Sequence, residues 1–183
     1  MKKIFVSFAS VLILLGVFSS CKKIVSAVFQ GTDVNVPEVQ VTVPIIPFVA
    51  PGEVSLGSYT YRFNLDSAVK ANTGGVFGAD VVSSIKVKQI KITITNADQL
   101  NNLANFESAR VTLESNNNTN PVELFSTIFP DTYTPVYIAT PTNGPELLSY
   151  LKGSEIVYRM YGKNRRITTK PLNMIISVII RVN

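Results

Sequence analysis

The feature that most constrains this chain is a recurring alternation of apolar residues with a period of two. Near its end, Met174, Ile176, Val178, Ile180 and Val182 occupy every second position. A strand places successive side chains on opposite faces, so these five share one face. The same period runs through Ile85 and Val87 and resumes, one residue out of phase, at Ile90, Ile92 and Ile94. A single extra residue near Lys88 and Gln89 restores the alternation, which predicts a β-bulge there. Tyr59, Tyr61, Phe63 and Leu65 repeat the pattern, as do Ala109, Val111 and Leu113, and then Ile156, Tyr158 and Met160. Val39, Val41 and Val43 alternate too, but Pro37, Pro44, Pro47 and Pro51 make that region an edge strand broken by bends.

Helical signals are brief. Asp66 is the expected N-cap of a helix over residues 67–72 that Gly74-Gly75 ends. Gly144-Pro145 opens a second over residues 146–152, with Gly153 after it. Residues 98–105 are expected to hold a helical turn capped by Asn96 or Asp98. A polar loop over residues 116–120 leads into a strand over 122–128, a hairpin, and Val136 and Ile138 share a face of a short strand. Residues 162–166 turn the chain into its last strand. Eight or so strands at short spacing, with no βαβ rhythm, predict an all-β fold. The expected architecture is an antiparallel β-sandwich, Ig-like or jelly-roll-like, with one to three short helices. The last strand should lie mid-sheet, with Ile176, Val178 and Ile180 buried against the face that carries Ile90, Ile92 and Ile94. Ile175 and Ile179 on its outer face call for a covering loop or a partner.

Composition excludes several chemistries. The 183 residues contain no histidine, no tryptophan and one cysteine, Cys21. Ser-His-Asp and Cys-His catalysis therefore lack their base, and imidazole or thiolate metal sites lack their ligands. The 12 acids include no pair in a context that suggests a glycosidase, and residues 116–120 contain no carboxylate for calcium. No catalysis, cofactor or metal is expected. No disulfide can form within the chain, so the fold rests mainly on apolar burial.

Lys2 and Lys3 precede an apolar, uncharged run over residues 4–18, which Phe18-Ser19-Ser20-Cys21 closes. The run is too short for a comfortable membrane span and reads as a secretory signal. It resembles a bacterial lipoprotein signal with its lipobox, although Phe18 stands where an aliphatic residue is usual. The resemblance implies a signal peptide over residues 1–20, fatty-acyl (palmitate) lipidation of Cys21, a lipidated tether over 21–33 and a β-sandwich domain over 34–183. It also implies a cell-envelope location, with the outer membrane as a partner through the lipid anchor. Lys22-Lys23 follow the cysteine where surface-exported lipoproteins carry acids, so the domain is expected to face the periplasm. Loss of the leader lowers the formal charge from +5 to about +3, too small a bias to argue for nucleic acid.

Further phrases resemble small lipoproteins of Bacteroidetes bacteria. They are Tyr59-Thr60-Tyr61-Arg62-Phe63-Asn64-Leu65-Asp66-Ser67, residues 87–96, Asn105-Phe106-Glu107-Ser108, Leu148-Ser149-Tyr150-Leu151-Lys152-Gly153 and Thr168-Thr169-Lys170-Pro171-Leu172-Asn173. That family implies a single β-sandwich of unknown function and no activity. Asp66-Ser67-Ala68 resembles its O-glycosylation pattern, which would place a glycan on Ser67.

One basic cluster stands out: Lys163, Arg165, Arg166 and Lys170. It reads either as a solvated turn or as a contact for the phosphates of an anionic glycan or lipid head group. Tyr59, Tyr61 and Tyr158 fall on inward faces, whereas Tyr133 and Tyr137 lie near proline bends where aromatic contact with a ligand is expected. The chain thus reads as a lipid-anchored envelope protein acting as a structural or binding component, with an envelope protein as a partner. The alternative is a module that binds an anionic glycan or lipid through residues 163–170.

Overall fold

The computed structural model describes residues 28–183, so Cys21 and the leader lie outside the described residues. Eight strands follow one another: β1 (Thr32–Val43), β2 (Val54–Arg62), β3 (Ile85–Ile94), β4 (Phe106–Ser115), β5 (Asn118–Ile128), β6 (Val136–Ala139), β7 (Glu155–Asn164) and β8 (Leu172–Val182). A helix, α1 (Leu65–Asn72), follows β2, and a single turn, α2 (Leu148–Leu151), precedes β7. The strands form two four-stranded sheets, ordered β1-β8-β3-β6 and β2-β7-β4-β5, and every pairing is antiparallel. Every connection except β4–β5 crosses from one sheet to the other. That order is the double Greek key of a jelly roll, which settles the choice the sequence left open.

Apolar alternation builds the core as expected. Met174, Ile176, Val178, Ile180 and Val182 of β8 are buried, as are Ile156, Tyr158 and Met160 of β7. The inner faces of both sheets join in one cluster. The β3–β8 register shifts between Val87 and Gln89, the expected bulge. β1 is an edge strand, and its own register shift falls between Val36 and Val39, around Pro37. β8 lies mid-sheet, but Val178 stands beside Ile90, and Ile176 beside Ile92, within one sheet rather than across from them.

Local details depart from the sequence reading for identifiable reasons. α1 is capped by Asn64, whose Oδ1 accepts from the Ser67 amide at 2.8 Å; Asp66 lies inside the first turn. There its carboxylate pairs with Lys70 at 2.6 Å and accepts the Ala79 amide at 2.9 Å. Gly74 and Gly75, at φ 63° and 82°, end the helix in left-handed backbone as expected. The helix expected over residues 146–152 shrinks to α2 because Glu146 is used elsewhere. Its carboxylate accepts the Ile85 amide at 2.7 Å and the Ser84 hydroxyl at 2.6 Å, fastening this segment to β3. The turn in residues 98–105 is a 3-10 turn, Leu103–Asn105, capped by Asn102 rather than Asn96 or Asp98. Val136 and Ile138 share a face, but it is the outer one; Tyr137 and Ala139 face in. β1 begins at Thr32, opposite Val182, so Thr32 and Asp33 belong to the sandwich rather than to the tether. The β4–β5 hairpin needs only Asn116 and Asn117 as its loop, and β7 continues to Asn164, delaying the last turn to residues 165–171.

The strand directions sort the connections into two ends. Residues 44–53, 95–105, 129–135 and 165–171 link strands at one end. Residues 63–84, 116–117 and 140–154 lie at the other, where the chain also enters β1 and leaves β8.

Candidate functional site

The end formed by residues 44–53, 95–105, 129–135 and 165–171 buries five polar residues beside Ala50, Leu103, Ala104 and Phe129, and exposes several large apolar ones. Asn101, Asn102, Asn105, Ser115, Asn164 and Thr168 are the buried polar residues among those described, and all but Ser115 belong to this end. Each is there to satisfy backbone that no ladder reaches. Asn105 Nδ2 donates to the Leu100 and Ile167 carbonyls at 2.9 and 2.7 Å, and its Oδ1 accepts the Asn102 amide at 2.9 Å. Its own carbonyl accepts the amides of Arg165 and Arg166. Asn102 Oδ1 accepts the amides of Ala104 and Thr134. Asn164 accepts the Ala50 amide at 3.0 Å and donates to the Phe48 carbonyl at 2.8 Å. Thr168 and Ile46 exchange two bonds, at 2.9 and 3.0 Å. Asn101 Oδ1 accepts the Thr169 amide at 2.8 Å. These bonds tie all four loops into one unit, and no buried side-chain polar atom among the described residues lacks a partner. A fully satisfied network of this kind rigidifies the segments it joins.

Apolar side chains cap that network. Of the eleven exposed large apolar residues among those described, six sit on these loops: Ile45, Phe48, Val49, Leu100, Tyr133 and Ile167. Phe48 is 64% exposed and Leu100 70%. Pro44, Pro47 and Pro51 stiffen the first loop by fixing φ at three points. Beside it, Leu100, Tyr133 and Ile167 rim a cleft of about 420 Å³ whose wall includes Asp131, Thr132 and Arg166. A contiguous exposed apolar patch rimmed by polar groups marks an interaction site.

The basic residues singled out in the sequence do lie at this end, but each meets an acid. Lys163 Nζ is 2.8 Å from Glu107, Lys170 Nζ is 2.6 Å from Asp98, and Arg165 and Arg166 both reach Asp131. Arg165 and Arg166 also donate to the Ala104 carbonyl. The Lys170 ammonium, then the Asn101 amide, hold the Asp98 carboxyl down to about 2. The arrangement is a set of ion pairs that fasten loops, rather than a cluster of unpartnered charge. Of the two tyrosines near prolines, Tyr133 is exposed on the cleft rim. Tyr137 is engaged internally, its hydroxyl 2.7 Å from Thr127 Oγ1 and its ring edge-on to Phe129 at 5.1 Å. Tyr158 is core, and burial pushes its phenol up to about 12; Tyr59 and Tyr61 are half-buried on the inward side of β2. Ser67 is exposed in the first turn of α1.

Sequence reasoning missed the apolar loops. The signal was present in residues 45–51, where Ile45, Ile46, Phe48 and Val49 follow neither strand nor helix period and so cannot be hidden by either. A second concavity of about 530 Å³ runs between β5 and the chain leaving β6, lined mainly by polar residues such as Glu123, Thr127, Thr142 and Asn143. No helix among the described residues is long and apolar enough to cross a membrane.

No protein-family description and no curated protein matches the chain. Among solved structures, a decameric BFDV capsid protein aligns over 84% of this chain and 98% of its own, at 7% identity and TM-score 0.33. A structure of infectious bursal disease virus, Gx strain, aligns over 84% and 41%, at 8% identity and TM-score 0.19. At those scores neither carries an argument, and the jelly roll rests on the strand order itself.

Proposed function

We propose that this chain is a lipid-anchored, non-catalytic binding component of the cell envelope that engages its partner through the four-loop end. The observation that carries the reading is that buried amides and exposed apolar side chains occur together at that end. Buried amides lock the backbone while six large apolar side chains face solvent on the opposite pole from the start of β1. Preorganised loops lose little entropy on binding, so apolar area there converts efficiently into affinity. The anchor is proposed from the Cys21 motif and the envelope location from the resemblance to Bacteroidetes lipoproteins. The outer membrane is proposed from that same resemblance, and its periplasmic side from Lys22-Lys23. The pairing of Lys163, Arg165, Arg166 and Lys170 with internal acids speaks against an anionic glycan or lipid as the main ligand.

Photo-cross-linking in cells tests the binding end. A photoreactive residue replacing Tyr133 in the full chain should give cross-linked products, and one replacing Thr60 on the outer face of β2 should not. Equal yields from both positions, or none from Tyr133, would overturn the reading. The anchor has its own test: Cys21→Ser should abolish fatty-acid labelling and release the chain from membranes, since acyl chains supply about 0.8 kcal/mol per buried CH₂. Protease added to intact cells should spare the domain.

A further inference from the structure

The four-loop end has both halves of a self-complementary joint. Phe48 projects from a loop stiffened by Pro44, Pro47 and Pro51, and the neighbouring loops frame the cleft rimmed by Leu100, Tyr133 and Ile167. Thr168, between the cleft residues Ile167 and Thr169, exchanges two bonds with Ile46, two residues from Phe48, so the loop bearing Phe48 is tied to a loop that lines the cleft. We propose, building on the binding end just described, that its occupant is a second copy of this chain in an isologous dimer, with Phe48 of each copy seated in the other's cleft. A two-fold joint requires that knob and hollow coexist on one surface, because each copy supplies both. This end meets that condition.

Area and charge agree with this occupant. Side chains of this size at such exposures present on the order of 100 Å² each, so six approach the roughly 800 Å² per partner of a standard interface. Two like surfaces repel if they carry net charge. Here Lys163, Lys170, Arg165 and Arg166 face Glu107, Asp98 and Asp131, which reduces four cations to a single net charge on the rim. An apolar centre within a rim of paired charge has the anatomy of a protein interface, with an aromatic anchor filling a pocket as its energetic focus.

Mixed cross-linking tests the joint, because Cys21 is the only native cysteine. Two differently tagged full chains are co-expressed, one with Phe48→Cys and the other with Tyr133→Cys, and treated with a short thiol cross-linker. The expected product is a species carrying both tags, absent when Val76→Cys, at the opposite pole, replaces Tyr133→Cys. No two-tag species, or equal amounts with Val76→Cys, would overturn the dimer. Cross-links from Phe48→Cys to other proteins alone would also overturn it while leaving the binding end intact. Sedimentation of the Cys21→Ser chain adds a second readout, in which Phe48→Asp should weaken dimerisation about a hundredfold. A wild-type loop end that sediments only as monomer, even at high concentration, contradicts the proposal.

Discussion

The two ends of this jelly roll use the same residue type in opposite ways. At the end where the chain enters β1, asparagines sit on the surface: Asn116 accepts the amides of Ser154 and Glu155, and Asn117 donates to the Ser149 carbonyl, all in exposed positions. At the four-loop end, Asn101, Asn102, Asn105 and Asn164 are buried, and apolar side chains lie outside them. Stitching loops to one another accounts for the first arrangement completely. It does not account for the second, where six large apolar side chains on the joined loops face solvent. The contrast separates an end closed by surface bonds alone from the end proposed above as the binding surface.

The largest expected effect sets the scale against which both ends are measured, and it lies in the core they share. Val178 is buried between Val36 and Ile90, so Val178→Asp should cost several kcal/mol of a stability of about 5–15 kcal/mol. Its neighbour Ser177 points outward, but its hydroxyl donates to Glu38 at 2.6 Å. An aspartate there would face that carboxylate, so Ser177→Ala is the cleaner control and should cost about 1 kcal/mol or less. Thermal melts of the two variants compare them, and equal losses would mean that the register of β8 is wrong by one residue.

Next comes the contrast between amides. Asn105→Ala removes three bonds and strands a buried amide of Asn102 and part-buried carbonyls of Leu100 and Ile167, which should cost about 2–4 kcal/mol. Asn117→Ala at the other end leaves only solvent-accessible groups unpaired and should cost about 0.5 kcal/mol. Denaturant titrations of both variants decide it. Similar losses would erase the distinction drawn between the ends.

A smaller effect is read by pH. Asp98 is held at about 2 in the fold, chiefly by Lys170, against an ordinary 3.8. A depressed carboxyl stabilises above its unfolded value and loses that contribution as pH falls through the folded one. Asp98→Asn should therefore melt below the native chain at pH 7, and the gap should close between about pH 4 and pH 2. A gap that persists unchanged at pH 2 would assign the loss to something other than this ion pair. The smallest effect belongs to Phe48→Ser. An exposed side chain contributes little to folding, so its melt should move by about 0.5 kcal/mol or less while cross-linking through the loop end falls away.

How far the sequence carried depended on whether a residue's role was local or set by distant partners. Alternation along β3 revealed both its inward face and its bulge, because the period of two is a property of the strand alone. Asp66 does not cap α1 and residue 146 does not start a helix, because both carboxylates answer amides of other segments, at Ala79 and Ile85. The basic turn read as a cluster because the acids that pair with it come from elsewhere in the chain, Glu107 from β4 and Asp98 and Asp131 from two other loops. The apolar loop over residues 45–51 was visible as composition, but only the fold places it beside Leu100, Tyr133 and Ile167.

The most direct test of the central claim is whether the loop end is covered where the protein lives. Radical footprinting can be run on membranes that carry the full chain and on the isolated Cys21→Ser chain diluted until it sediments as a monomer. Phe48, Leu100, Tyr133 and Ile167 should be labelled in isolation and protected in the envelope, with Val76 labelled alike in both. Equal labelling of the four loop residues in the two preparations would contradict the account.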